Sequence, residues 1–423
     1  MMWMLCLARA SEPPPVARPT TESVSYASAV LSNDLRVVIE HHPTWRTVSI
    51  ATVIDGGLVA EPRAGLTHAL ADGWLASSPT GRGAVGELYD RLGAESRVRV
   101  EPESTVFWVH GPADATGTLL ALEMQRFADP LARLQGAVAP TRPAARDGFT
   151  ARYLELVYAS LYPQPHPYHG IWQAPADRRV PLEATAEFAA ASWVPARTTL
   201  VVAGPMEPSR VLCSLDPMRC GTAPEMSTTS STLALPDGAG LSEGAVRDLP
   251  VPAHPDVGPV SAGVPGSAIL LAWSMPGLDS GTQQIGRFAK LWVERSLRDE
   301  PELAGGLQCH LFEGRRNSSV ICVVRADAGL DLTRLRKRLG RGWARKGLDD
   351  ATLDWRRRTL GGLIGASGDA SELPAIAEHV HHSGEVSVHG GALEGLAFDE
   401  RDVARFLDEV FTERRLVVVR LVP

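Results

Sequence analysis

Between residues 223 and 266 the chain loses every periodic apolar pattern, and that gap limits what the whole can become. The stretch carries Ser227-Thr228-Thr229-Ser230-Ser231-Thr232 and the prolines Pro250, Pro252, Pro255 and Pro259, with only short apolar pieces such as Leu233-Ala234-Leu235. Composition of this kind reads as a linker. The 423 residues therefore divide into 26–222 and 267–423, preceded by a segment 1–25 of different character. Each half repeats one order of patterns. The first has a strand at 49–54, helices opening at Gly65 and Gly86, strands at 96–100 and 104–110, a helix at 115–129 and a closing strand at 198–203. The second has a strand at 267–274, a helix at 282–298, a hairpin at 307–325, helices at 332–346 and from Asp350, and a closing strand at 416–422. Repetition of strands mixed with helices predicts an α+β fold of two duplicated halves, each a mixed sheet with helices packed on one face.

Hydrophobic residues make up 44 % and charged residues 22 %, so each half has enough apolar surface for a core. A formal net charge of −7 argues against nucleic acid or an anionic membrane as partner. No apolar run reaches the roughly 18 residues of a membrane span. The N-terminus, Met1-Met2-Trp3-Met4-Leu5-Cys6-Leu7-Ala8-Arg9-Ala10, reads as a short export signal, and residues 11–20 as a Pro-rich link. An ordinary disordered terminus on a cytoplasmic protein is the alternative. Beyond Cys6 there are four cysteines, which allow three pairings. A four-residue turn over Gly314–Asn317 would set Cys309 opposite Cys322, and Cys213 and Cys220 bracket a short loop. Two local disulfides in an oxidising compartment are expected, against four buried thiols in a reducing one.

The chemistry-bearing stretch is Gly65-Leu66-Thr67-His68-Ala69-Leu70-Ala71-Asp72, after the strand 49–54 and Gly57-Leu58-Val59-Ala60-Glu61. Leu66, Leu70, Gly73 and Trp74 mark one side of a helix, and His68 and Asp72, four apart, share a face. Strand, glycine-glutamate lead and G-L-x-H helix together resemble the insulinase and mitochondrial-processing-peptidase family, whose zinc motif is the inverted H-x-x-E-H. Supporting resemblances are the hairpin at 31–40, Phe188–Arg197, Thr198–Gly204 and Ala159–Tyr168. The resemblance spans roughly residues 26 to 422, more closely in the first half, and implies an insulinase-like half-clamshell.

It also exposes what is missing. That chemistry needs two imidazoles on zinc and a carboxylate that takes a proton from water. Here only His68 remains; Ala71 stands at the base position and Asp72 at the second ligand. The third ligand falls near Thr141 when counted back from Ala159–Tyr168, where no carboxylate lies; a count forward from Asp72 reaches Asp147. Zinc is therefore not expected, and no metal site is assigned. In the family an Arg and a Tyr from the second half hold substrate; Arg298 matches the first and is a candidate substrate contact, while Gly305 replaces the second. Arg97 and Arg99 share a face of a strand expected at a sheet edge, where charge protects against unwanted pairing. Glu378, His379, His381 and His382 cluster in sequence but match no known ligand spacing, and read as a solvated helix end; His41-His42 reads as surface. No nucleophile elbow, phosphate loop or C-x-x-C is present.

The expectation is a catalytically silent subunit that pairs with an active zinc-bearing homologue to enclose an extended peptide or unfolded protein, in a periplasmic or secreted setting. Two alternatives stay open: an active metallopeptidase with an atypical site of His68, Asp72 and Asp147, and a structural subunit of a larger assembly.

Overall fold

The structure is a computed structural model, and it describes residues 25–78, 81–127, 148–172, 180–221, 225–227, 249–252, 255–261, 267–277, 283–298, 306–325, 332–339, 373–383 and 400–422. The expected N-terminal signal, Thr141, Asp147, Gly305 and most of the helix predicted from Asp350 lie outside these residues.

The first half begins with a hairpin, β1 (Ser25–Val30) and β2 (Arg36–His41). Its turn places Asp34 at φ 67°, a left-handed conformation that aspartate tolerates. Then follow β3 (Thr47–Ile54), α1 (Leu66–Ala76), α2 (Val85–Arg91), β4 (Glu95–Val100), β5 (Thr105–Pro112), α3 (Thr116–Gln125), α4 (Gly148–Leu161), α5 (Leu182–Ser192), β6 (Thr198–Gly204), α6 (Pro208–Leu215) and β7 (Glu225–Ser227). The second half has β8 (Asp256–Ser261), β9 (Ala268–Pro276), α7 (Gln283–Arg298), β10 (Leu307–Phe312), β11 (Asn317–Arg325), α8 (Leu332–Leu339), α9 (Leu373–Ser383), α10 (Glu400–Val410) and β12 (Val417–Val422).

Duplication is visible in the sheets. The first runs β4-β5-β3-β6-β2-β1-β7 and the second β10-β11-β9-β12-β8. Five strands of the first match the second position for position: an outer hairpin, a long central strand, the closing strand, and a partner parallel to it. That parallel pair is β2 with β6 in one half and β8 with β12 in the other. A glycine follows each central strand where the hairpin turn comes closest. A Cβ on Gly57 would lie 2.4 Å from the carbonyl oxygen of Glu101, and one on Gly277 would lie 2.3 Å from that of Arg315.

The segment 223–266 is not a plain linker. Residues 225–227 pair with β1, 256–261 form β8, and Leu249 is buried in the second core. Its prolines concealed the strand. Pro259 cannot donate to a ladder, but β8 is an edge strand, where proline is tolerated, and Gly258 beside it takes φ 102° against the irregular register with β12. The second half thus begins by residue 256, before the expected 267. The predicted helix 115–129 is α3 at 116–125, and 332–346 is described as α8 over 332–339.

Each sheet carries its own helices on one face. On the first, Val37, Ile50, Ile54, Phe107 and Leu200 pack with Leu66, Leu70, Tyr89, Leu119, Phe188 and Val211. On the second, Leu271, Trp273 and Val320 pack with Ile285, Phe288, Val403 and Phe406. The other faces are closed by exchange. From the first half, α4 lies on β9 and β12 of the second sheet; from the second, α9 lies on β3, β5 and β6 of the first, with Leu373, Ala377 and Val380 against Ala51, Val53, Val106 and Val201.

Cys309 and Cys322 are register partners across β10 and β11 and form a disulfide; Cys213 and Cys220 form a second, closing the end of α6. Unreduced, denatured protein should show none of these four as free thiols in a colorimetric count, and reduction should lower stability by about 3 kcal/mol through the 309–322 loop.

Candidate functional site

The helix that carries the motif is set by its lead. Glu61 reaches forward, its carboxylate accepting the backbone N–H of Gly65 at 2.8 Å and of Thr67 at 2.7 Å, so two of the open N-terminal donors of α1 are satisfied. Burial nonetheless pushes the Glu61 carboxyl above the usual carboxylate range. Gly65 enters the helix at φ 95°, which glycine alone adopts freely. Gly57 donates to the carbonyl of Glu103 and Leu58 to that of Glu101, which ties the lead to the β4–β5 turn.

On α1 the motif positions separate. Leu66, Leu70, Ala71 and Trp74 are buried in the main core, with Ala71 only 3 % exposed. His68 and Asp72 are half-buried on the other side. Desolvation raises the Asp72 carboxyl above its ordinary value. The base position is therefore a packing contact. Catalytic zinc takes three protein ligands and an open place for water, and no group of three His, Cys, Asp or Glu side chains among the described residues could hold a metal ion. What α1 offers does not fit the zinc that such a motif would bind.

Beneath α1 lies a buried ion pair that the sequence reading missed. Both carboxylate oxygens of Glu123 accept from Arg126 Nη2, at 2.9 and 2.7 Å; Thr52 adds a hydrogen bond of 2.6 Å and Tyr89 one of 2.7 Å. The guanidinium sits over Phe107 at 3.5 Å and over Trp74 of α1 at 4.7 Å. Among the described residues, Arg126 Nε and Nη1 have no hydrogen-bond partner. Burial, with the Glu123 charge close by, pushes the Tyr89 hydroxyl well up. The pair joins β3, α1, α2 and α3, and only the unusual spacing of a charge pair inside an apolar helix could have signalled it.

The remaining expected residues are dispersed. Among the described residues β4 is one of the two edge strands of the first sheet. There Arg97 pairs with Glu95 at 2.6 Å and lies over Trp108, while Arg99 turns toward Glu101, 2.9 Å away, and Glu378. Arg298 ends α7, which packs on β9, β10 and α10; it bonds Glu294 at 2.6 Å and the carbonyl of Leu307 at 3.4 Å. Arg298 is thus held within its own half.

Two surface expectations need correction. His42 is 7 % exposed: its ring stacks on Trp45 at 3.8 Å and its Nε2 lies 2.9 Å from Glu40. A stacked aromatic neighbour three residues away outweighed the adjoining proline. The helix carrying Glu378 and His381 is α9, laid across a sheet, and His381 Nδ1 is 2.9 Å from Thr199 Oγ1. The side chains of His379 and His382 lie outside the described residues. Glu378 Oε1 meets Ser104 Oγ at 3.2 Å while Oε2 pairs with Arg99.

No protein-family model and no curated protein matches the sequence. Solved structures do match in fold. A protease from Helicobacter pylori aligns with a TM-score of 0.68 at 16 % identity, over 94 % of this chain and 99 % of that one. The inactive domain of an M16 peptidase from Pseudomonas fluorescens aligns with 0.68 at 15 %, over 94 % and 98 %. The first half of the periplasmic protease PqqL from Escherichia coli aligns with 0.62 at 13 %, over 96 % and 93 %. The chain has the α+β, half-clamshell fold of the M16-like, insulinase-like peptidases. No helix among the described residues is long and apolar enough to cross a membrane.

Proposed function

We propose that this M16-like fold serves as a non-catalytic subunit, which pairs with an active zinc-bearing homologue and helps to enclose extended peptide. The observation that carries this is Ala71: the helix of the inverted zinc motif is present with its cap and lead, yet the base position is a methyl packed in the core. An active chain in such a pair needs a second wall that excludes water and holds an extended substrate. Among the described residues β4 ends the first sheet, so its outer side offers main-chain groups to an extended peptide, with Arg97 and Arg99 limiting which partners pair there. Two of the similar folds are described as an inactive domain and as one half of a periplasmic protease, which supports both the silent role and the pairing. An exported, periplasmic location agrees with the two disulfides.

The isolated chain should not cleave an unfolded peptide, with or without added zinc. Affinity capture from the source cell should recover a second peptidase-fold chain with a complete H-x-x-E-H. Chelator-sensitive cleavage by the isolated chain would overturn the reading in favour of a divergent active enzyme; capture of a large assembly without any peptidase activity would favour a structural subunit.

A further inference from the structure

Five charged side chains from four separate segments meet where the two halves join. Arg99 comes from β4, Glu101 from the β4–β5 turn, Arg287 from α7, Glu313 from the β10–β11 turn and Glu378 from α9. Arg99 Nε is 2.9 Å from Glu101 and its Nη2 pairs with Glu378. Arg287 grips Glu313 with two bonds, of 2.8 and 2.7 Å. Next to them, Glu103 of the first hairpin accepts the backbone N–H of Arg315 in the second, and burial raises its carboxyl while Arg315, Tyr168 and Arg316 oppose the shift. The carboxylates are well inside: the side chains of Glu101, Glu378 and Glu313 are 11 %, 14 % and 21 % exposed.

Three carboxylates face two guanidiniums. With every group ionised, the carboxylates outnumber the guanidiniums by one while Arg99 itself stays 44 % exposed, and one proton removes the excess. Uncompensated enclosed charge is strongly disfavoured. We infer that Glu378, set against Arg99 and beside Glu101 and Glu313, is a proton-operated latch: a proton on its carboxyl keeps α9 seated on the first sheet at the junction of the two hairpin tips, and loss of that proton loosens α9. Geometry picks Glu378 as the moving part. It is the only one of the three on α9, whose other ties among the described residues include the apolar trio Leu373, Ala377 and Val380, the bond from Arg36 to the Val380 carbonyl, and His381 with Thr199.

Desolvation pushes the Glu378 carboxyl up to about 7; Arg99 opposes the shift, and Glu101 and Glu313 reinforce it. The seated helix therefore binds the proton more tightly than the released one. Seating is strongest below the ordinary carboxylate range, weakens as pH rises through it, and reaches its floor above pH 7.

Hydrogen exchange of the intact protein reads this directly. After correction for the chemical rate, protection over 373–383 should fall on the order of 10²-fold between pH 5 and pH 8, while β3 stays protected as the fold control. Glu378→Gln should hold the low-pH protection at both pH values. Glu101→Gln, which keeps the titrating group but removes one neighbouring charge, should move the midpoint to lower pH. Flat protection in the unaltered protein overturns the latch. So does a full pH response in Glu378→Gln, which keeps His381 and would assign the effect to that histidine. Should Glu378→Gln fail to fold, an unmoved midpoint in Glu101→Gln overturns it alone. None of these readouts depends on a peptidase partner, so they fail or succeed separately from the proposed function.

Discussion

Glu123→Leu lowers the free energy of unfolding by about 3–5 kcal/mol, a large part of the stability of an ordinary domain. The loss is not that of one hydrogen bond. Arg126, already with two nitrogens unpartnered, would become a buried cation with no counter-charge, and the hydroxyls of Thr52 and Tyr89 would lose their acceptor. Removing both charges together relieves most of this, so the double variant Glu123→Leu/Arg126→Met should be more stable than Glu123→Leu alone, by an interaction energy of 1 kcal/mol or more on the order of a coupled pair. Urea unfolding of the two single variants and the double measures it. Additive single losses would show that the pair does not act as a unit.

Ala71→Glu is the second large effect, and its sign is against catalysis. In an inverted zinc motif this position carries the general base, so restoring glutamate looks like repair. Ala71 is instead packed beside Leu66, Leu70 and Trp74. A longer side chain there must overpack the core and bury a carboxyl without a partner, at a loss of about 3–5 kcal/mol. Ala71→Glu/Asp72→His should consequently be less stable than the parent in thermal unfolding and still fail to cleave peptide. A double variant as stable as the parent would mean that α1 can turn its motif face outward.

What could be read in the sequence followed from local spacing. The turn over 314–317 set Cys309 opposite Cys322, and the ladder pairs them in that register. The lead Gly57–Glu61 and the step at Gly65 gave the start of α1, because the cap and the close approach both lie within a few residues. Edge position and charge went together in β4. The misses lie where distant segments decide. β8 carries Gly258 and Pro259, and only its place at an edge beside β12 makes it a strand. Glu378 finds Arg99 279 residues away in sequence, so no local pattern could announce a charge cluster at the junction. His42 looked exposed beside Pro43, since the stack on Trp45 depends on how the chain turns back over the sheet. The candidate site divides in the same way: the motif positions could be read, but that Ala71 faces inward depends on what packs against α1.

The traded helices have a consequence for how the molecule comes apart. With α4 seated on β9 and β12, and α9 on β3, β5 and β6, neither sheet owns both of its covers. Detaching the halves would wet an apolar face on each, the Ala51–Val53–Val201 face of one and the Leu270–Ala272–Val419 face of the other. Two domains joined only by a tether would melt in two steps. Here the unfolding of one half deprives the other of its lid, so global unfolding of the two halves is coupled into one transition, distinct from a local loosening of α9 that leaves both sheets intact.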